Sequence, residues 1–328
     1  MKNIKKLGLT ALAGSLVATS AYSADMAVTG SAELTYTTTG EVDGNQWGFE
    51  KGIAWSASGE VMGYDVTLAT TLDDNAALSS SSLTFDLGDM GKIYFDAGAG
   101  KTGIGTLENK GNVSAYEEAD HGMTDMHQID VNAATQVMGY SSPAGMLIDG
   151  LDFSVELIPS VGAQTSNTSA GGVSGAGSTG SEWNTAINYA VPMVEGLNLY
   201  FGYANESSTG TRDDDTEITY GFDYSMGPVK IGYQESQVED ATAAGDEVVA
   251  YGINFAVNDD LTVSYSATEN TVEAHASTAS SSSEATGVNA SYSIGGGSIR
   301  VFTGEQDNAG YTAGTTKKHT EISLSMSF

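Results

Sequence analysis

The sequence predicts an all-β chain folded as a transmembrane antiparallel up-and-down β-barrel of about 16 strands. Three observations predict it. Apolar and polar residues alternate with a period of two, and connections alternate between tight turns and long polar loops. After the N-terminal segment, no apolar run approaches the ~20 residues of a membrane helix. The alternation is plain in Glu217–Ser225, where Ile218, Tyr220, Phe222 and Tyr224 share one face and Thr219, Gly221, Asp223 and Ser225 the other. It recurs in Leu197, Leu199, Phe201 and Tyr203, and in Ile322, Leu324, Met326 and Phe328 at the C-terminus.

The N-terminus reads as an export signal. Lys2, Lys5 and Lys6 precede an apolar stretch from Leu7 to Val17, and Ala21-Tyr22-Ser23 supplies small residues for cleavage. Residues 1–23 are therefore expected to be removed, leaving 24–328 as a single barrel domain. The 328-residue chain has 12 Lys and Arg against 42 Asp and Glu. Losing three lysines and no acid leaves nine basic residues and a net charge of −33. Such a surface repels nucleic acid and anionic substrates and attracts cations. The absence of cysteine excludes a disulfide scaffold, a thiolate metal site and a cysteine nucleophile.

Tight turns are expected at 88–91, 226–228, 258–260 and 295–297. Between them fall polar loops at 98–134, 159–181, 205–215, 237–246, 269–284 and 305–318. Short turns at one end and long loops at the other suit a barrel with two different sides. Trp47 and Trp55 share a face eight residues apart, about 26 Å along a strand, close to the spacing of two aromatic girdles.

At this point the sequence resembles the gram-negative general-diffusion porins. The hairpin from Phe85 through Gly88-Asp89-Met90-Gly91 to Phe95 looks like their turn before a long third loop. Gly139-Tyr140-Ser141-Ser142-Pro143, followed by Gly150-Leu151, resembles their turn after it. Terminal Phe328 is similar to their signal for the barrel assembly machinery. The resemblance implies a sixteen-stranded homotrimer in the cell outer membrane, in contact with lipid and lipopolysaccharide. It also implies a third loop folded into each lumen and passive diffusion of small hydrophilic solutes. The family usually sets a cluster of wall arginines against acids on that loop. This chain departs from the pattern, having only Arg212 and Arg300.

The expected constriction loop is 98–134, carrying Glu108, Glu117, Glu118, Asp120, Asp125 and Asp130. Inward parity adds Glu33, Asp86, Asp96, Asp152, Glu156 and Asp223 to the wall, with Lys230 and Arg300 as its cations. Carboxylates in a narrow lumen concentrate cations and oppose anions, so cation preference is expected without any catalytic step. The plainer reading of 98–134 is a solvated outer loop. Lys51 falls by parity on the lipid face, a costly position in mid-membrane.

No cofactor is expected. Asp213, Asp214 and Asp215 offer hard oxygens to calcium or magnesium, although a solvated loop tip explains them as well. Gly98-Ala99-Gly100-Lys101-Thr102 only mimics the end of a phosphate-binding loop, because Phe95 stands where its first glycine belongs. His121 and His127 lie in the constriction loop and otherwise read as polar surface residues. Three rivals remain: a substrate-selective porin with a loop-built binding site, a secreted soluble β-rich adhesin, and a barrel enzyme. The last lacks a GxSxG motif.

Overall fold

The computed structural model describes residues 25–39, 45–72, 78–96, 102–123, 137–158, 182–206, 215–239, 245–272 and 281–328. The signal segment, Asp125, Asp130, His127, Arg212, Asp213 and Asp214 lie outside them, as do the side chains of Asp96 and Asp215.

Sixteen strands form one closed antiparallel sheet in which every strand pairs with its sequence neighbours and the first with the last. They are β1 (Asp25–Thr39), β2 (Trp47–Val61), β3 (Tyr64–Leu72), β4 (Leu78–Asp86), β5 (Lys92–Asp96) and β6 (Val137–Ser141). Next come β7 (Leu151–Ile158), β8 (Glu182–Ala190), β9 (Leu197–Glu206), β10 (Asp215–Met226) and β11 (Val229–Glu239). The series ends with β12 (Asp246–Ala256), β13 (Leu261–Val272), β14 (Ser281–Ser293), β15 (Gly297–Asp307) and β16 (Thr316–Ser327). Closure satisfies every ladder without an edge, which a chain spanning hydrocarbon requires. At the seam, the Gly30 amide donates to the Phe328 carbonyl at 2.7 Å and the Phe328 amide donates back at 3.0 Å.

Alternation decides which side chains face out. Trp47, Phe49, Ile53 and Trp55 on β2 are exposed, Trp47 to 58%. The alternate residues of other strands, such as Asn184, Thr219, Gln234 and Ser266, are buried. This is the reverse of a water-soluble protein and fits an apolar belt around a polar interior. Lys51 does face outward, with its ammonium 5.7 Å from the Phe49 ring centroid.

Several strands outrun the sequence expectation. β13 continues to Val272 and β14 starts at Ser281, inside the expected 269–284 loop. Their ends are polar on both faces, so periodicity stops while ladder bonding continues. The β2–β3 turn was not legible either. Met62 and Gly63 both take positive φ, the two-residue turn that matches strand twist. By contrast β5 and β6 have only five residues each. Between them the chain leaves the wall early, which lets it enter the barrel. Among the described residues of that connection Ile104, Leu107, Val113 and Ala119 are buried, as is Phe302 on β15.

Candidate functional site

An extended loop inside a barrel has no ladder of its own, so its backbone groups need other partners. The inner wall supplies them from side chains. Thr102 Oγ1 donates to Glu156 Oε2 on β7 at 2.8 Å, and the Gly103 amide donates to Ser154 Oγ at 2.9 Å. The Ile104 amide donates to Asn184 Oδ1 on β8 at 3.0 Å. One 3-10 turn, Ile104–Leu107, then buries its apolar side chains, with Leu107 clustered on Ala186 and Tyr200.

Further along, Gln234 on β11 accepts from the Gly111 amide and donates to the Leu107 carbonyl, both at 3.0 Å. Asn112 Nδ2 donates to Thr268 Oγ1 and the Ala115 amide to Ser264 Oγ, both on β13 at 2.8 Å. Asn289 on β14 brackets Glu117, accepting from its amide at 3.0 Å and donating to its carbonyl at 2.8 Å. Residues 102–123 thus follow the inner wall from β7 round to β16 and β1. Bare inward positions make the close approach possible. A Cβ on Gly202 of β9 would stand 2.6 Å from Ile104, and one on Gly232 of β11 would stand 2.6 Å from the Gly111 carbonyl.

The loop's charges fall into two groups. Glu108 and Lys110 are exposed, whereas Glu117, Glu118 and Asp120 are half-buried. Burial pushes the carboxyls of Glu117 and Glu118 above the ordinary carboxylate range. His121 is raised because it hydrogen-bonds Glu321, with burial working the other way. Tyr116 Oη lies 3.0 Å from Glu33 Oε1 and also bonds Glu321, and burial raises its phenol.

Arg300 on β15 pairs with Glu33 at 2.5 Å and donates to Ser323 Oγ at 3.1 Å. Its guanidinium stands 4.2 Å from the Tyr116 ring centroid. Arg300 therefore lies beneath the loop, unlike the arrangement the resemblance implied. Apart from Asp96, whose side chain lies outside the described residues, the other expected wall residues sit on inward faces with partners. Asp223 pairs with Lys230 at 3.4 Å, and Asp152 accepts from Asn188 at 3.1 Å. Glu156 is covered by Thr102. Asp86 pairs with Lys92 at 3.1 Å beside the 88–91 turn.

Sequence reasoning missed Lys110, Tyr116 and the docking residues Gln234, Asn289 and Phe302. Phe302 carried a readable signal, because it falls on the inward parity of β15 between outward Val301 and Thr303.

The chain matches no protein-family model and no curated protein sequence. Solved structures do match. OmpF of Salmonella typhi, in complex with daunomycin, aligns at 13% identity and TM-score 0.67 over 93% of this chain and 98% of its own. An anion-selective porin from Comamonas acidovorans aligns at 11% and 0.67 over 93% and 100%. The outer membrane protein OmpT of Vibrio cholerae aligns at 11% and 0.69 over 93% and 98%. With its sheet closed after sixteen strands and residues 102–123 bonded to the inner wall, the chain has the fold of the porins.

Proposed function

We propose that the barrel is a passive outer-membrane channel for small hydrophilic solutes that prefers cations to anions. The observation that carries this reading is the acidic loop 102–123 held against the inner wall. Glu108, Glu117, Glu118 and Asp120 stand on it, with Glu33 and Glu321 beside it, against Lys110, Arg300 and His121. A surplus of fixed negative charge in a confined passage raises cation concentration there and excludes anions. Selection then rests on width and potential, with no bond made or broken.

The outward apolar belt disfavours a secreted soluble adhesin. The neighbours named above include an anion-selective porin, so the fold alone leaves the sign open and this chain's own residues must set it. Assembly as a homotrimer, delivery by a cleaved signal, insertion through Phe328 and divalent ions shared with lipopolysaccharide belong to the same proposal.

The test is reversal potential in a salt gradient across a planar bilayer. The wild type should show large open steps with cation preference. Changing Glu117, Glu118 and Asp120 to Gln, Gln and Asn should lower that preference. An unchanged reversal potential removes these residues from the narrow part.

A further inference from the structure

Where the loop ends its course, three nitrogen and oxygen donors converge. His121 comes from the loop, and His319 and Glu321 come from β16. One ligand atom from each lies within 4.8 Å of the other two. Glu321 Oε2 stands 3.4 Å from His121 Nε2 and 3.7 Å from His319 Nε2. Ligands of a tetrahedral ion bound at ~2.0–2.1 Å lie about 3.3 Å apart, so two edges of such a site are nearly in place.

A second observation is independent of that spacing. His319 is 5% exposed, and beyond the 3.7 Å approach of Nε2 to Glu321 neither ring nitrogen has a hydrogen-bond partner among the described residues. Leaving a buried polar group idle is costly, and an idle group calls for an explanation. The surroundings are shaped to hold this ring. Gly122 has φ +70, and a Cβ there would come within 2.7 Å of the imidazole. Fully buried Phe302 lies 5.6 Å from the His121 ring and 5.9 Å from the His319 ring, giving the cluster an apolar side.

We propose that His121, His319 and Glu321 bind one divalent transition-metal ion, with zinc the best chemical match. Imidazole with carboxylate suits zinc, whereas calcium and magnesium take oxygen donors. The outer contacts support the assignment. Glu117 Oε2 lies 3.2 Å from His121 Nδ1, so it can accept a hydrogen bond from Nδ1–H and leave the Nε2 lone pair for the ion. Thr37 Oγ1 donates to Glu321 Oε2 at 3.3 Å. Water fills the fourth position. Binding releases any proton on His121 Nε2 to solvent. The ion ties the loop to β16 and places positive charge among the loop's acids. That consequence for selectivity rests on the channel reading, whereas the binding itself does not.

The experiment is equilibrium dialysis of the folded barrel in detergent against zinc, with excess magnesium to occupy acidic surfaces. The visible spectrum of a cobalt-substituted sample reports the ligand geometry. One zinc per chain and a tetrahedral cobalt spectrum are expected. H121Q, which changes only the loop, and H319Q should each weaken binding by at least about tenfold. Equal binding by wild type and H121Q overturns the proposal, as does a failure to bind above the level of the double variant. In bilayers, zinc should lower the cation preference of the wild type but not of H121Q. Binding without that effect supports the metal site and counts against the loop as the selective element. An absence of binding beside altered selectivity in the carboxylate variants removes the metal site and leaves the channel reading standing.

Discussion

Two arcs of the inner wall differ in what their side chains can reach. From β2 to β4 the inward uncharged side chains are short, Ser56, Ser58, Thr67, Thr71, Ser80, Ser82 and Thr84 with glycine and alanine between them, and the acids Glu50, Glu60, Asp65 and Asp86 share that face. The hydroxyls bond across the ladder, as Ser58 does with Thr67 at 3.1 Å. From β7 to β16 the corresponding positions hold Glu156, Asn184, Gln234, Asn289, Phe302 and His319, interleaved with glycine. An amide side chain can donate and accept at once, so it can grip an irregular backbone, and a glycine beside it lets that backbone come close. The difference teaches that the wall is specialised by side-chain reach: one arc holds the loop and the other presents short hydroxyls and acids that do not grip it. The arginine that the family resemblance would set across from the loop is on the holding arc instead.

The comparison can be broken most sharply by removing its object. Replacing 104–121 by a short Gly-Ser link should raise single-channel conductance by about twofold or more and reduce cation preference. Unchanged conductance would mean that the loop does not narrow the passage. The next effect is on stability. Phe302→Ala empties the apolar seat under residues 119–123 and should cost about 3 kcal/mol in unfolding measurements. Thr67→Ala on the hydroxyl arc should stay within about 0.5 kcal/mol. Equal losses at the two positions would erase the distinction between the arcs. Gln234→Leu leaves the Gly111 amide and the Leu107 carbonyl without their partner. It should cost about 2 kcal/mol and raise channel noise, read by the same unfolding assay and by current recordings. The smallest expected effect tests charge. Thr67→Arg places a cation on the hydroxyl arc and should lower the cation-to-anion permeability ratio by roughly twofold.

Much of the barrel was legible because one rule governs it. Lipid outside and water or polar contacts inside force a period of two, and Ile218 to Tyr224 show it directly. Strand ends were less legible, since beyond the apolar belt both faces are polar while the ladder continues, as at Val272 and Ser281. The candidate site was legible in composition and opaque in geometry. The acids of 98–134 could be counted, but nothing local says that Glu117 meets Asn289 or that His121 meets Glu321, residues separated by 172 and 200 positions. Such pairings come from closure of the whole ring. Glycines at inward parity, Gly202 and Gly232 above all, were the sequence's best hint of where another stretch of backbone would lie.

The paired amides of Gly30 and Phe328 bear on how the molecule is made. Until the last residue is in place, β1 has a neighbour on one side only, and the contact that completes it is the most distant in the sequence. Such contacts form slowly because a long chain must first be drawn together. In the interval two raw margins, β1 and the last strand formed, stand ready to add strands from other copies. A chain cut short before Thr316 keeps both margins permanently and is bound for the aggregate.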